Sequence, residues 1–494
     1  MAGIYIHIPF CKQKCNYCNF FSLATLKFRD EFFHSLMKEI EFASDYLEDE
    51  PVETIYFGGG TPSLLSVEQL DEILGKVQGS RFKVQETRDE KQTASCQPQE
   101  ITLEMNPDDV TPEYLDALTH SAINRISLGV QSFFDEDLNY LTRSHDARQA
   151  LMAVEMILDA GYQIPDAGCR TRDEGRRTKD EGRGTRDEGR RTRDEGRRTK
   201  DEGRKTKDEE RNSKLETRNS KLETISIDLI YGIPTLTNEH WRENLQRVID
   251  FGIPHLSAYA LTVEPKTPLA WQINKGAGRR AQGAVGSWQL AVGRKHSPRH
   301  QGTTAPQHHG TTAPSHKNPG SGIRDPISDD QAAEQFEILM DIMEKAGYVQ
   351  YEISNFCLPG FESRHNSNYW KGVPYLGLGP SAHSYNGTSR RWNISNLTSY
   401  IRDLGSGILP FEEELLTVAQ EYNEYVMTSL RTIRGSDLRE IGEQFGMEYV
   451  TYFRHQAIRH LASGHLTEQS GICTLTRNGK FLADGIAADL FVVE

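Results

Sequence analysis

Short runs rich in Ile, Val, Tyr and Phe alternate along this chain with longer segments of helical periodicity, and that alternation admits few folds. Strand-like runs stand at residues 4–8, 54–57, 101–104, 125–129, 225–231 and 255–261. Between them, apolar positions recur at helical spacing and predict helices over 28–46, 67–77, 112–120, 147–160 and 238–251. Parallel strands require crossovers of a dozen residues or more, usually helices. Six such repeats therefore predict an α/β fold built as a partial (β/α)6 barrel of the TIM type.

Three stretches break the rhythm. The longest, about 165–223, repeats TRDEGRR-like heptads from Thr171, Thr178, Thr185, Thr192, Thr199 and Thr206, followed by RNSKLET twice. A coiled-coil seam would need apolar residues where these heptads place Thr, Gly or charge, so the segment offers nothing to offset its ordering entropy and is expected to be disordered. A second stretch, 276–328, is rich in Gly, Pro, Ser and His and carries GTTAP at Gly302 and Gly310. Its histidines (His296, His300, His308, His309, His316) read as incidental to low complexity, with metal or haem binding as the rival. A shorter one spans about 86–98. All three fall between predicted elements and read as insertions without a catalytic role.

Beyond 328 a helix is predicted over 331–346, then a turn-rich region over 359–393. Helices over 419–431, 438–445 and 449–463 and a strand pair within 466–475 suggest a small winged-helix-like α+β domain. The resulting division is a core barrel at 1–275, an insertion at 276–328, a connecting region at 329–408 and a C-terminal domain at 409–494. A formal charge of -14 over 494 residues opposes general nucleic-acid or anionic-membrane binding. No apolar run reaches spanning length and the start lacks a signal-peptide pattern, so a soluble cytoplasmic protein is expected.

Seven cysteines in a chain this long do not form the framework of a small secreted domain. Cys11, Cys15 and Cys18 crowd one loop just after the first strand, at the end of the sheet where barrel active sites form. Three thiolates can ligate three irons of a four-iron cluster and leave the fourth open to a small molecule. Zinc is the competitor, but no second CxxC or Cys/His pair stands at matching spacing. Cys96, Cys169, Cys357 and Cys473 are scattered and read as ordinary reduced cysteines. Gly58-Gly59-Gly60-Thr61-Pro62 follows the second strand, Glu104 ends the third, Gln131 the fourth with Arg143 after it, and Asp228 lies in the fifth. Each alone is a turn or a surface polar residue; together they mark one end of one sheet.

The spacing CxxxCxxC after the first strand resembles the signature of radical S-adenosylmethionine (SAM) enzymes. With IYIHIPFC, YFGGGTP, ISLGVQSF, IDLIYGIP, YEISNF, RHNSNYW and YLGLGPSAHSY, nearly the whole chain outside the insertions is similar to the oxygen-independent coproporphyrinogen III oxidase family, and within it most similar to a haem-chaperone branch. The resemblance implies a radical SAM core with a HemN-like C-terminal domain. It also implies a [4Fe-4S] cluster on Cys11, Cys15 and Cys18, and SAM contacts from Tyr5, Tyr17, Gly59, Gly60, Thr61, Glu104, Gln131, Arg143 and Asp228. True oxidases of the family carry CxxxCxxCxC, whereas Phe20 stands two residues after Cys18 here. In the chaperone branch HNxxYW is associated with haem, which marks His365 as an iron ligand, with His383 as a second candidate and His7 as a strand residue near the cluster. Haem-accepting respiratory proteins are the implied partners, with peripheral membrane contact during delivery.

Overall fold

The computed structural model describes residues 1–48, 50–79, 98–161, 224–276 and 328–493. Six parallel strands stand side by side in chain order: β1 (Ala2–Ile8), β2 (Val52–Gly59), β3 (Glu100–Met105), β4 (Arg125–Gln131), β5 (Thr224–Tyr231) and β6 (His255–Ala260). Helices α1 (Arg29–Phe42), α2 (Val67–Gly79), α3 (Pro112–His120), α4 (Asp135–Tyr140) and α5 (Ala147–Asp159), with a later one at Asn238–Asp250, join them. The strands and the longer helices stand where the periodicity predicted them. The exception, α4, is one and a half turns long and too short to show a period.

Side-chain alternation explains how these strands build both a core and a site. Ile4, Ile6 and Ile8 of β1, Ile55 and Phe57 of β2, Leu103 of β3 and Leu128 of β4 are buried in one core with Phe32, Leu36, Leu70 and Ile157 from the helices. Each such burial contributes about 1.5–3 kcal/mol. The alternate positions are polar or small: Gly3, Tyr5 and His7 pair in register with Thr54, Tyr56 and Gly58, and Glu104 with Ser127. Farther round, Asp228 pairs with Ser257. This second row lines the inside of the curved sheet. A one-residue slip would exchange the two rows, so the register is fixed by the aliphatic set.

The sheet continues past the six repeats. Beyond β6 stand β8 (Asn355–Cys357) and β7 (Val349–Glu352), antiparallel; beyond β1 stands β9 (Tyr375–Leu378), parallel to β1, then antiparallel β10 (His383–Tyr385), β11 (Ser389–Asn393) and β12 (Phe411–Leu415). The region read as turn-rich over 359–393 thus holds three strands and a helix, Arg364–Trp370. Elements of three to seven residues carry too little periodicity to be seen in sequence, and Gly377 and Gly379 read as turn signals. The low-complexity stretches, with Cys96, Cys169 and the five insertion histidines, lie almost wholly outside the described residues. β4 and β5, which flank the longest stretch, pair in parallel from Arg125 and Thr224 onward.

At the C-terminal end, helices Val418–Leu430, Leu438–Gln444, Met447–Ala462 and Ala483–Asp489 pack on a three-stranded antiparallel sheet of β13 (Ser436–Asp437), β14 (Leu466–Gln469) and β15 (Ile472–Leu475). Tyr422, Val426, Phe453 and Leu490 form their own core. Arg431 ties this unit to the large sheet through buried Glu352 of β7, at 3.0 Å, and to Asp484 at 2.8 Å. Among the described residues no helix is long and apolar enough to cross a membrane.

Candidate functional site

After β1 the chain leaves the sheet at Pro9 and loops back, with Leu23 N–H donating to Pro9 O (2.8 Å) and Cys11 N–H to Leu23 O (3.0 Å). This ring presents Cys11, Cys15 and Cys18 as free, half-buried thiols at the carboxyl ends of the strands. Lys12 anchors it by ion pairs to Asp108 and Asp109, just after β3. Burial pushes the Cys11 thiol up and the Cys18 thiol up to about 11, so a metal would have to displace protons from them. Arg143, fixed by donating to Asn106 Oδ1 (2.6 Å) and Gly129 O (2.9 Å), places a guanidinium N–H 3.4 Å from Cys15 Sγ. Tyr17 lies against the same guanidinium.

The glycines after β2 fit this loop closely. Gly60 N–H donates to Ile8 O (2.8 Å), and a Cβ on Gly60 would stand 2.5 Å from Phe10 O, so no larger residue fits without moving backbone. Gly59 adopts φ +107, beside the ring of His7. Thr61, buried, accepts from Asn106 Nδ2 at 3.0 Å. Farther into the barrel, Glu104 accepts from Tyr56 O–H (2.8 Å) and from Gly59 N–H (3.2 Å). Burial raises its pKa to about 7, with the nearby Asp228 carboxylate adding to the rise. Burial likewise raises Asp228 to about 6, against the opposing hydrogen bonds of Ser257 and Ser127. Tyr5 stacks on Tyr56 with ring centres 6.1 Å apart. Gln131, at φ +69, folds its amide back over Gly129 toward Arg143.

The residues named for cluster and SAM, from Tyr5 to Asp228, therefore converge on one end and the adjoining interior of the barrel. His365 does not join them. Glu100, at the start of β3, accepts from Ser363 O–H (3.2 Å), Arg364 N–H (3.0 Å) and His365 N–H (2.9 Å), and so seats the Arg364–Trp370 helix under the amino ends of the strands. There the His365 ring meets Thr54 Oγ1 through Nδ1 (2.9 Å) and stacks on Tyr56 (5.0 Å). Burial lowers its pKa to about 4, so it is neutral at pH 7. His7 is also neutral, held by Phe21 O at 2.8 Å, and His383 on β10 lies near it with a buried, unpartnered Nδ1. Sequence reasoning missed Thr54, Tyr56, Glu100 and Asn106. Two-residue spacing along β2 and β3 from Gly58 and Glu104 marks Thr54, Tyr56 and Asn106 as facing the same interior.

Among the described residues, no three Cys, His, Asp or Glu side chains close on one point as a single-ion site would require. A four-iron cluster makes a different demand, since each thiolate bonds its own iron and the sulfurs stand apart. Cys357 and Cys473 are buried free thiols, Cys473 within the C-terminal core, in keeping with ordinary reduced cysteines.

Comparison with known proteins agrees with this geometry. Residues 5–167 match the model of the Radical SAM superfamily. Heme chaperone HemW of Mycobacterium tuberculosis is 27% identical over 493 residues, covering 99% of this chain and 94% of that protein. HemW of Bacillus subtilis is 26% identical, covering 98% of each, and HemW of Escherichia coli 25%, covering 100% and 98%. Coproporphyrinogen III oxidase (HemN) from Escherichia coli, a radical SAM enzyme, shares the fold with a TM-score of 0.65 at 17% identity, over 99% of this chain and 90% of that one. The chain thus carries an α/β fold shared with that radical SAM enzyme, and along nearly its whole length its sequence is similar to HemW.

Proposed function

We propose that this protein is a haem chaperone that holds a SAM-ligated [4Fe-4S] cluster and passes haem to respiratory proteins. The residues present fit the cluster and SAM. Three thiols share one loop, Arg143 has a buried Nε without a partner, and two half-buried carboxylates with raised pKa values face the same space. Cys11, Cys15 and Cys18 would hold the cluster, and Tyr5, Tyr17, Gly59, Gly60, Thr61, Glu104, Gln131, Arg143 and Asp228 would hold SAM. Bound together, the pair supplies one-electron chemistry. Glu104 and Asp228 are acceptors for ribose hydroxyls or an ammonium group, and Arg143 offers a cation to a carboxylate. The tight fit of Gly60 against Phe10 and Ile8 keeps the loop and the glycine turn in contact.

His365 is the proposed haem ligand. Thr54 occupies its Nδ1, which fixes the ring and leaves Nε2 for an iron. The observation that carries the chaperone reading is the separation of the two sites. His365 abuts Gly3 at the start of β1, whereas the cysteine loop follows its end, and the four residue steps of strand from Gly3 to His7 alone span about 13 Å. Haem on His365 would sit at the opposite end of β1 from the cysteine loop, with the Tyr56 ring between it and Glu104, as suits cargo rather than substrate. Phe20, standing where family oxidases place a fourth cysteine, favours the same side. The test is reconstituted protein under anaerobic conditions with dithionite and SAM. Stable haem binding without consumption of coproporphyrinogen III supports the chaperone, and protoporphyrinogen formation supports the oxidase.

A further inference from the structure

Helix α4 ends in an unusual way. Thr142 N–H donates to Asn139 O (3.2 Å) and Arg143 N–H to Leu138 O (2.9 Å), the paired bonds that close a helix on a left-handed residue. Glycine normally fills that position, yet here it is Thr142, at φ +53, a conformation in which a β-branched residue is strained. The hydroxyl has a use. Thr142 Oγ1 accepts from the backbone N–H of Asn16 at 2.9 Å, and the Thr142 carbonyl accepts from Gln13 Nε2 at 3.0 Å. Asn16, itself buried, donates its side-chain amide to Tyr140 O (2.8 Å), while its backbone carbonyl accepts from Leu269 N–H (2.9 Å). Gln13 and Asn16 lie in the cysteine loop, one on each side of Cys15. The residue after Thr142 is Arg143, whose guanidinium N–H points at Cys15 Sγ.

We propose that Thr142 is a positioning residue for the iron–sulfur cluster. Its strained turn serves as a latch that clamps the loop on both sides of Cys15 and, through the adjoining peptide, aims Arg143 at that sulfur. Hydrogen bonds to ligand sulfurs and the rigidity of the surrounding shell govern cluster potential and retention. This role rests on the proposed cluster, and Thr142→Gly and Thr142→Ser separate the two ideas. Glycine relieves the backbone strain while removing the whole hydroxyethyl side chain, so folding is not put at risk; serine keeps the acceptor. Full-length proteins reconstituted anaerobically with ferrous iron and sulfide would be challenged with an iron chelator and examined by EPR after reduction. Thr142→Gly should lose its cluster roughly tenfold faster, with altered g-values and a more negative midpoint potential, while Thr142→Ser matches wild type. A Thr142→Gly protein that retains its cluster and spectrum unchanged, or a serine variant as impaired as the glycine one, would overturn the latch. Wild-type protein that takes up no iron would overturn the cluster reading and the latch with it.

Discussion

Replacing Glu104 with Gln should stabilise the SAM-free protein at neutral pH and above, and by less as the pH falls. The carboxyl lies inside the barrel, where Tyr56 O–H and Gly59 N–H donate to it and Asp228 stands nearby, and burial lifts its pKa from 4.5 to about 7. Because the folded-state value exceeds the unfolded one, the folded protein keeps the proton longer. Ionisation therefore costs stability progressively as pH rises from about 4.5 to 7, and in full above that range. At about 1.4 kcal/mol per unit the displacement corresponds to ~3 kcal/mol, and residual solvent contact brings the expected figure to about 2 kcal/mol. The glutamine variant avoids that cost while losing at most one neutral hydrogen bond, about 1 kcal/mol at any pH. Melting of wild type and Glu104→Gln should thus diverge with rising pH, the variant gaining about 3 °C between pH values of about 5 and 8. The same variant should bind SAM more weakly. A difference in melting temperature that stays constant over that range would refute the buried-charge argument.

Gly60→Ala should weaken SAM binding at least about tenfold, because its Cβ would press on Phe10 and Ile8 carbonyls and push the glycine turn off the cysteine loop; equilibrium dialysis reads this, with Gly75→Ala, which meets nothing within 4 Å, as the control. Arg431→Ala should cost about 3–5 kcal/mol in urea unfolding, since it leaves Glu352 buried without its cation and cuts the link to Asp484. Arg431→Lys should recover part of that loss.

Much of the architecture was legible because β1–β6 carry aliphatic runs on the helix-facing side, and such runs are what periodicity detects. The polar interior row carried little signal, since Tyr56 or Thr54 in isolation looks like any strand residue; only the motif residues two positions on betray their direction. The sheet extensions β7–β12 stayed hidden for a different reason. They are three to five residues long, interrupted by Gly377 and Gly379, and held by pairing to distant strands rather than by local preference. RHNSNYW looked like a turn, yet it forms a helix because Glu100, some 260 residues earlier in sequence, accepts from its first N–H groups. Thr142 was unreadable in principle, as its left-handed geometry occurs at a position that sequence rules reserve for glycine.

Three thiolates on one loop should leave an iron of the cluster open to SAM. Anaerobic reconstitution followed by EPR of the reduced protein, with and without SAM, tests it most directly. The expected result is a four-iron signal that shifts when SAM is added and disappears when Cys11, Cys15 or Cys18 is replaced by Ser, but not when Cys357 is. A protein that holds zinc or no metal, or a reduced spectrum indifferent to SAM, would contradict it.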